Sequence, residues 1–217
     1  MADTVVSNFE QYEHDAPLIE AFRKGILPSS QPILLPGYPA DYWAKEEEGY
    51  ELLFSPHQIR DKVAQLALEI QYDFKNNIEE VLLVGLMHGA LYFTTDLTRA
   101  LDVSFTTLAF GKQGGVCSEE SLIEGKHVLV VEDIVRSGKT LINAVHYLKK
   151  RKPRSVCGVA MVRCMNLTGE PASLLRYHGF DIEEKQHLIG YGMDDNGKYR
   201  QLPYIARLEE GLGVATA

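Results

Sequence analysis

The sequence is poor in cysteine and in long apolar runs, and both shortages exclude classes of protein. Its three cysteines, Cys117, Cys157 and Cys164, are odd in number and lack the two-residue spacing of a metal or redox pair. We interpret them as free thiols in a reducing compartment. The longest apolar run, near 81–87, is far below the ~20 residues that span a bilayer. Because the first residues also lack the basic and apolar regions of a secretory signal, we expect a cytoplasmic protein and no membrane partner.

Positive charge is scarce as well. The 217 residues include 22 lysines and arginines against 30 aspartates and glutamates, which gives a net charge of −8. This balance argues against a nucleic-acid or anionic-membrane partner, because both attract basic surfaces. A phosphorylated small molecule stays possible, since a local anion site needs only a few donors. The hydrophobic fraction of 45% is ordinary for a globular chain and too high for a disordered one.

From about residue 50, short apolar runs alternate with stretches of helical spacing. The alternation predicts an α/β fold, with a mainly parallel, twisted sheet and helices on both of its faces. In such sheets ligands bind at the carboxyl ends of the strands. Prolines and glycines interrupt the chain before residue 44, so we treat 1–44 as an N-terminal extension and 45–217 as the main domain. The predicted strands are 81–86, 103–109, 127–131 and 155–162, and the predicted helices are 59–74, 91–101 and 140–151.

The segment that follows the predicted strand 127–131 carries most of the chemical information. Glu132 and Asp133 come directly after the strand, and the Ser-Gly-Lys-Thr segment 137–140 opens the next helix. Backbone N–H groups at a helix start, with the two hydroxyls, form a site for a phosphate. Gly138 lets the backbone approach the anion closely. Adjacent carboxylates suit sugar hydroxyls or a hard divalent cation, so the segment predicts a site for a ribose 5-phosphate.

Two other interpretations of this segment are open at this point. The sequence Gly138-Lys139-Thr140 matches the second half of a nucleotide-triphosphatase P-loop, but that motif requires a glycine where Asp133 stands. The segment could also be an acidic turn before a capped helix. Capping alone, however, does not require two acids directly after a buried strand.

Residues 128–140 resemble the phosphoribosyl pyrophosphate signature of type I phosphoribosyltransferases. The order of elements from Phe54 to Leu208 is similar to that of the hypoxanthine-guanine phosphoribosyltransferases. The resemblance implies the type I phosphoribosyltransferase fold, with a small hood subdomain formed by about 178–217 and part of the N-terminal region. It also implies purine salvage: transfer of 5-phosphoribosyl from phosphoribosyl pyrophosphate to hypoxanthine or guanine, with Mg²⁺, in a homo-dimer or homo-tetramer.

The resemblance assigns a role to each matched residue. Glu132, Asp133 and Arg136 fall at catalytic positions, where the two acids hold the ribose hydroxyls. A non-proline cis peptide bond is expected between Leu86 and Met87. The 5′-phosphate is assigned to Arg136, Ser137, Gly138, Lys139 and Thr140, pyrophosphate to Leu86, Met87, His88, Gly89 and Arg200, the base to Arg163, His187, Leu188 and Asp194, and magnesium to Glu132, Asp133 and Asp194.

Read without the family, the hood residues have simpler interpretations. The stretch 190–197 is rich in turn-forming residues. Asp194 and Asp195 would then form turns, and a lone histidine such as His187 would pack against its neighbours. The hood alone therefore does not predict a base-binding site.

The chain departs from the family at three positions. Arg136 stands where the family has an aspartate proposed to accept the purine N7 proton, and an arginine cannot act as a general base. It could instead strengthen phosphate or pyrophosphate binding. Met87 replaces a lysine, and Phe110-Gly111 stand nearest to a serine-tyrosine pair of the family's mobile loop. These differences keep two alternatives to a purine-salvage enzyme: a nucleotide-binding or regulatory protein with weak or no turnover, and a transferase for another base.

Overall fold

The computed structural model describes residues 49–101, 106–111, 115, 120–183 and 186–208. The N-terminal extension at 1–44, the end of the hood at 209–217, and Cys117 lie outside the described residues. Cys157 and Cys164, which lie inside them, do not form a disulfide.

Eight strands and four α-helices are described. In chain order they are β1 (Tyr50–Phe54), α1 (Pro56–Asp73), β2 (Val81–Leu86), α2 (Leu91–Ala100), β3 (Thr106–Phe110), β4 (His127–Val135), α3 (Lys139–Lys149), β5 (Ser155–Cys164), α4 (Gly169–Leu174), β6 (Leu175–Ile182), β7 (Leu188–Ile189) and β8 (Ile205–Leu208), with 3₁₀-helices at Ile78–Glu80 and Glu120–Ile123.

The main sheet has five strands in the order β3-β2-β4-β5-β6, and every neighbouring pair is parallel. All six residues of β2 are buried, as are residues 128–132 of β4. Continuous burial is the reason that residues 81–84 of β2 and 128–131 of β4 are apolar at every position instead of alternating. The predicted fold class, a mainly parallel sheet covered by helices, is confirmed.

The helices begin where local sequence favours them. Ser55 caps α1 by a reciprocal capping box with Gln58, and Pro56 occupies the first turn. One face of α1 is buried, as its spacing predicts. Helix α3 begins at Lys139, directly after Gly138 in a left-handed conformation. Within the described ranges, no helix has both the length and the apolar character needed to cross a membrane.

Strand β4 is longer than predicted, and this changes where the two acids lie. The predicted strand ends at Val131, but β4 continues to Val135. Ile134 pairs with Val162 and Val135 with Arg163 of β5. Because β5 pairs with three of the four further residues, including Glu132, Glu132 and Asp133 lie within the last residues of the strand and not in a loop. The acids are thus held by the most central strand of the sheet.

A second, three-stranded antiparallel sheet has the order β1-β8-β7. It pairs β1, near the start of the described chain, with β8 near its end, while Leu188 and Ile189 of β7 pair with β8 from the other side. The hydroxyls of Tyr50 and Tyr204 are 2.6 Å apart. The boundaries expected for the hood and the main domain remain predictions.

Candidate active site

Glu132 is less exposed to solvent than Asp133, the other acid. Its side chain is 8% exposed, and Thr140 hydrogen-bonds to it. Within the described residues, its Oε2 atom has no hydrogen-bond partner. Burial, together with the neighbouring Asp133, raises the pKa of Glu132 to about 8. A buried carboxyl with one unsatisfied oxygen is costly in the ligand-free protein and suits a ligand that brings donors or a cation.

Asp133, the second of the two acids, lies close to charged residues of the hood. Burial raises its pKa, while the charges of Arg200 and Asp194 act on it in opposite directions. Its carboxylate also packs against the turn after β2, where a Cβ atom on Gly89 would overlap it. Asp133 therefore brings the turn predicted to bind pyrophosphate and the predicted base-binding segment to the same end of β4.

The turn after β2 contains a non-proline cis peptide bond, but at another position than expected. It joins Met87 to His88, one residue later than the predicted Leu86–Met87 bond, which is therefore corrected. Leu86 is still the last residue of β2 and continues its parallel pairing with Phe110 of β3. A Cβ atom on Gly192 of the hood would overlap the carbonyl of Gly89, so the turn and the hood are in direct contact.

The predicted phosphate loop has the geometry of an anion site. Gly138 has a φ of 71° and is the N-cap of α3, with no side-chain hydrogen bond to the cap. A Cβ atom at this position would overlap Pro171. Ser137, Lys139 and Thr140 are exposed. The first N–H groups of the helix are thus left for a ligand at the positive end of the helix dipole.

Arg136 joins this loop to the hood. Its Nη2 atom donates a hydrogen bond of 2.6 Å to the carbonyl oxygen of Gln186, 50 residues further along the chain. Arg136 follows Val135, the last residue of β4, which is 1% exposed. The side chain therefore extends from the end of the central strand to the residue that precedes His187.

A pocket of about 280 Å³ lies between the end of β4 and the hood. Leu188 is buried and His187 is exposed, with its Nε2 atom 3.5 Å from Oδ1 of Asp195. Asp194 forms an ion pair with Arg200 and accepts a 2.7 Å hydrogen bond from the Gly197 N–H. The pocket is lined by Asp133, Ile134, Arg136, Gln186, His187, Leu188, Met193 and Asp194.

The structure does not bring Arg163, the predicted reader of the base, to this pocket. Its Nε atom donates a 2.7 Å hydrogen bond to Oδ1 of Asp181, its register partner on β6. His178 lies 3.5 Å from the same carboxylate oxygen. The guanidinium is therefore engaged at the β5–β6 edge of the sheet.

Three pocket residues were missed at the level of sequence. Ile134 and Met193 supply apolar surface, and Gln186 contributes its backbone carbonyl. Met193 stands within the predicted hood and Gln186 directly before His187, so position relative to a motif was the available signal. The sequence cannot indicate which backbone carbonyl lines a site, because every residue carries one.

A metal ion would have to rely on few protein ligands. Among the described residues, no three acidic, histidine or cysteine side chains are grouped to hold a metal. The predicted set Glu132, Asp133 and Asp194 is thus not gathered into one three-ligand site. Glu132 offers an unsatisfied oxygen, whereas Asp194 is paired with Arg200. This fits a cation such as Mg²⁺, which is often held by one or two carboxylates and completed by water and substrate phosphates.

Comparison with known proteins agrees with this geometry. Residues 50–176 match the phosphoribosyl transferase domain family. The hypoxanthine-guanine phosphoribosyltransferase of Dictyostelium discoideum is 32% identical over 176 residues, which cover 74% of this chain and 96% of that protein. The hypoxanthine phosphoribosyltransferase of Trypanosoma cruzi, solved in complex with the product IMP, is 30% identical with a TM-score of 0.69, over 76% of this chain and 94% of that one. A hypoxanthine-guanine-xanthine phosphoribosyltransferase structure is also 30% identical, with a TM-score of 0.65, over 74% of this chain and 94% of that one.

The match to the domain family and the shared fold define the class of protein, a type I phosphoribosyltransferase. Within that class, the chain belongs to the hypoxanthine-guanine phosphoribosyltransferase family.

Proposed function

We propose that this protein transfers a 5-phosphoribosyl group from phosphoribosyl pyrophosphate to N9 of hypoxanthine or guanine, giving IMP or GMP and pyrophosphate, as an enzyme of purine salvage. The observation that carries the proposal is the position of Asp133. Its carboxylate packs against the turn at Gly89 and lines the same pocket as His187 and Leu188. The similar proteins named for this reaction, covered over most of their length, support the same assignment.

The chain's residues divide the work by chemistry. Glu132 and Asp133 would hold the ribose hydroxyls, and the loop 137–140 would bind the 5′-phosphate at the start of α3. The turn 86–89 and Arg200 would contact pyrophosphate. The bond from N9 to C1′ forms as the bond from C1′ to the pyrophosphate oxygen breaks. Because positive charge develops on the ribose, holding both partners in line would supply much of the rate.

The departing base proton needs an acceptor other than Arg136. A guanidinium carries only donors, and the absence of a general base typically costs about 10²–10⁴-fold in rate. We therefore expect turnover that is slower than in an enzyme with an acid at this position.

Magnesium is part of this proposal. Glu132 and Asp133 would hold it, since Glu132 has an unsatisfied oxygen and carboxylates are the hard ligands that Mg²⁺ prefers. When bound, the ion would neutralise charge on the pyrophosphate. Asp194 would contribute only after leaving Arg200.

His187 and Leu188 are the side chains best placed to contact a purine. Leu188 is buried in the wall of the pocket and His187 is exposed at its edge. Arg163 would contribute only by leaving Asp181. Asp194, paired with Arg200, lines the same pocket and could contact an exocyclic group.

The proposal also covers assembly and location. We propose a homo-dimer or homo-tetramer, in which Leu91 and Tyr92 at the start of α2, 45% and 41% exposed, are apolar side chains that an interface could cover. Cys157 and Cys164, which form no disulfide within the described residues, fit the reducing cytoplasm. Analytical ultracentrifugation would test the assembly, and a single monomeric species at micromolar concentration would contradict it.

A second candidate is a nucleotide-binding protein with weak or no turnover, which Arg136 favours. One assay separates the two. The protein is mixed with Mg²⁺, phosphoribosyl pyrophosphate and each of hypoxanthine, guanine, xanthine and adenine, and nucleotide formation is followed by chromatography. Formation of IMP or GMP supports the enzyme. Binding of the donor by calorimetry without product from any base supports the binding protein, and product from adenine alone indicates another base.

A further inference from the structure

Arg136 is anchored at one end by the central strand of the sheet. It follows Val135, which is 1% exposed and pairs with β5. The backbone of Arg136 is therefore held next to the central strand. A group that hydrogen-bonds to the guanidinium is thereby positioned relative to that strand.

What it binds is the first residue of the hood segment 186–189. The segment is already held on one side by β8, through the 2.9 Å bond from the Leu208 N–H to the His187 carbonyl and the pairing of β7 with β8. On the other side, Arg136 donates to the Gln186 carbonyl at 2.6 Å. The residues that would contact the base therefore lie in a segment fastened to both sheets.

We infer that Arg136 is a positioning residue that latches this base-binding segment to the end of β4. The naming of the segment as base-binding rests on the proposed function, whereas the latch itself rests on the hydrogen bond. Arginine suits the task because it is always charged, and a hydrogen bond from a charged donor is stronger than a neutral one.

An aspartate at position 136 could not make this contact. A carboxylate and the Gln186 carbonyl are both acceptors, and the aspartate side chain is much shorter. The substitution Arg136→Asp would therefore release the segment even where it supplies a proton acceptor. Two explanations of Arg136, a lost base and a gained latch, thus predict opposite outcomes for the same variant.

The first test uses the ligand-free protein and does not depend on activity. Hydrogen exchange of the segment 186–193 is compared among wild type, Arg136→Met, Arg136→Asp and Arg136→Lys. Loss of the latch is expected to speed exchange in the Met and Asp variants by about tenfold or more, with partial rescue by lysine. The matched control is Arg154→Met, which removes an exposed arginine paired with Glu80 at the opposite end of the sheet. It should leave exchange of 186–193 unchanged.

The second test is kinetic. For Arg136→Met we expect the KM for hypoxanthine to rise about tenfold, with less than a twofold change in the KM for phosphoribosyl pyrophosphate. Unchanged exchange of 186–193 in both the Met and Asp variants would overturn the latch, as would a faster Arg136→Asp enzyme with wild-type KM for the base. If the wild type makes no nucleotide from any base but the variants still exchange faster, the proposed function fails and the latch stands.

Discussion

Replacing Glu132 by glutamine should stabilise the ligand-free protein at high pH while removing a group needed for binding. Glutamine has nearly the same shape, can still accept a hydrogen bond from Thr140, and carries no charge at any pH. The change therefore isolates the cost of ionising one buried carboxyl.

The size of the effect follows from the raised pKa. Below an unfolded-state pKa near 4.5, Glu132 is protonated in both states and contributes no charge penalty. Between 4.5 and about 8 the unfolded chain is ionised while the folded protein keeps the proton, so stability falls as pH rises. Above about 8 the full penalty of roughly 4–5 kcal/mol applies, at about 1.4 kcal/mol per pKa unit. The glutamine variant escapes that penalty.

The measurement is the free energy of unfolding by urea, at pH 5 and pH 9, in EDTA and without substrate. The stability difference between Glu132→Gln and wild type should grow in favour of the variant by about 3–4 kcal/mol from pH 5 to pH 9. Binding of GMP should weaken in the same variant.

Glu120→Gln is a control of opposite sign. The Tyr147 hydroxyl, with help from Arg151, holds the pKa of Glu120 below its usual value, so neutralising that carboxylate should cost stability at pH 9. A Glu132→Gln advantage that is equal at both pH values, or a variant that is less stable at pH 9, would refute the reasoning about Glu132.

The remaining predictions concern glycines at the site. Gly89→Ala places a Cβ atom into the Asp133 carboxylate and should lower kcat/KM by about tenfold or more, while thermal unfolding shows a folded protein; wild-type kinetics would contradict this. Gly138→Ala combines a φ of 71° with overlap of Pro171 and should cost more stability than Gly169→Ala, which has a φ of 70° and open space around it. The Gly169 variant should lose about 1 kcal/mol and the Gly138 variant at least twice that, and equal losses would show that the overlap is relieved without cost.

Much of the site could be predicted because its signals are local. An apolar strand, two acids and a glycine-containing helix start are consecutive in the chain, so Glu132, Asp133 and the loop 137–140 could be read without knowing which strands pair. The left-handed Gly138 at the start of α3 is the local geometry that such a sequence favours. The end of β4 was misplaced because the strand's last residues depend on pairing with β5.

Contacts between distant elements could not be read in this way. Arg163 was predicted to face the base, but β6 places Asp181 beside it, and a single sequence does not show which strand lies at the neighbouring position. The pairing of Asp194 with Arg200 likewise depends on how the hood folds back on itself. The cis bond was expected one peptide too early, since the sequence indicated the turn after β2 but not which peptide bond within it is cis.

The chain's own sequence determined the alternation of strands and helices, and with it the parallel sheet and the acids at its carboxyl edge, because burial and backbone preference act over a few neighbouring residues. Only the tertiary structure decided which distant group Arg136 contacts. It donates a hydrogen bond to a backbone carbonyl 50 residues away, and carbonyl groups are the same at every residue. Which one meets the guanidinium is settled by how the two sheets pack, and no side-chain pattern encodes that choice.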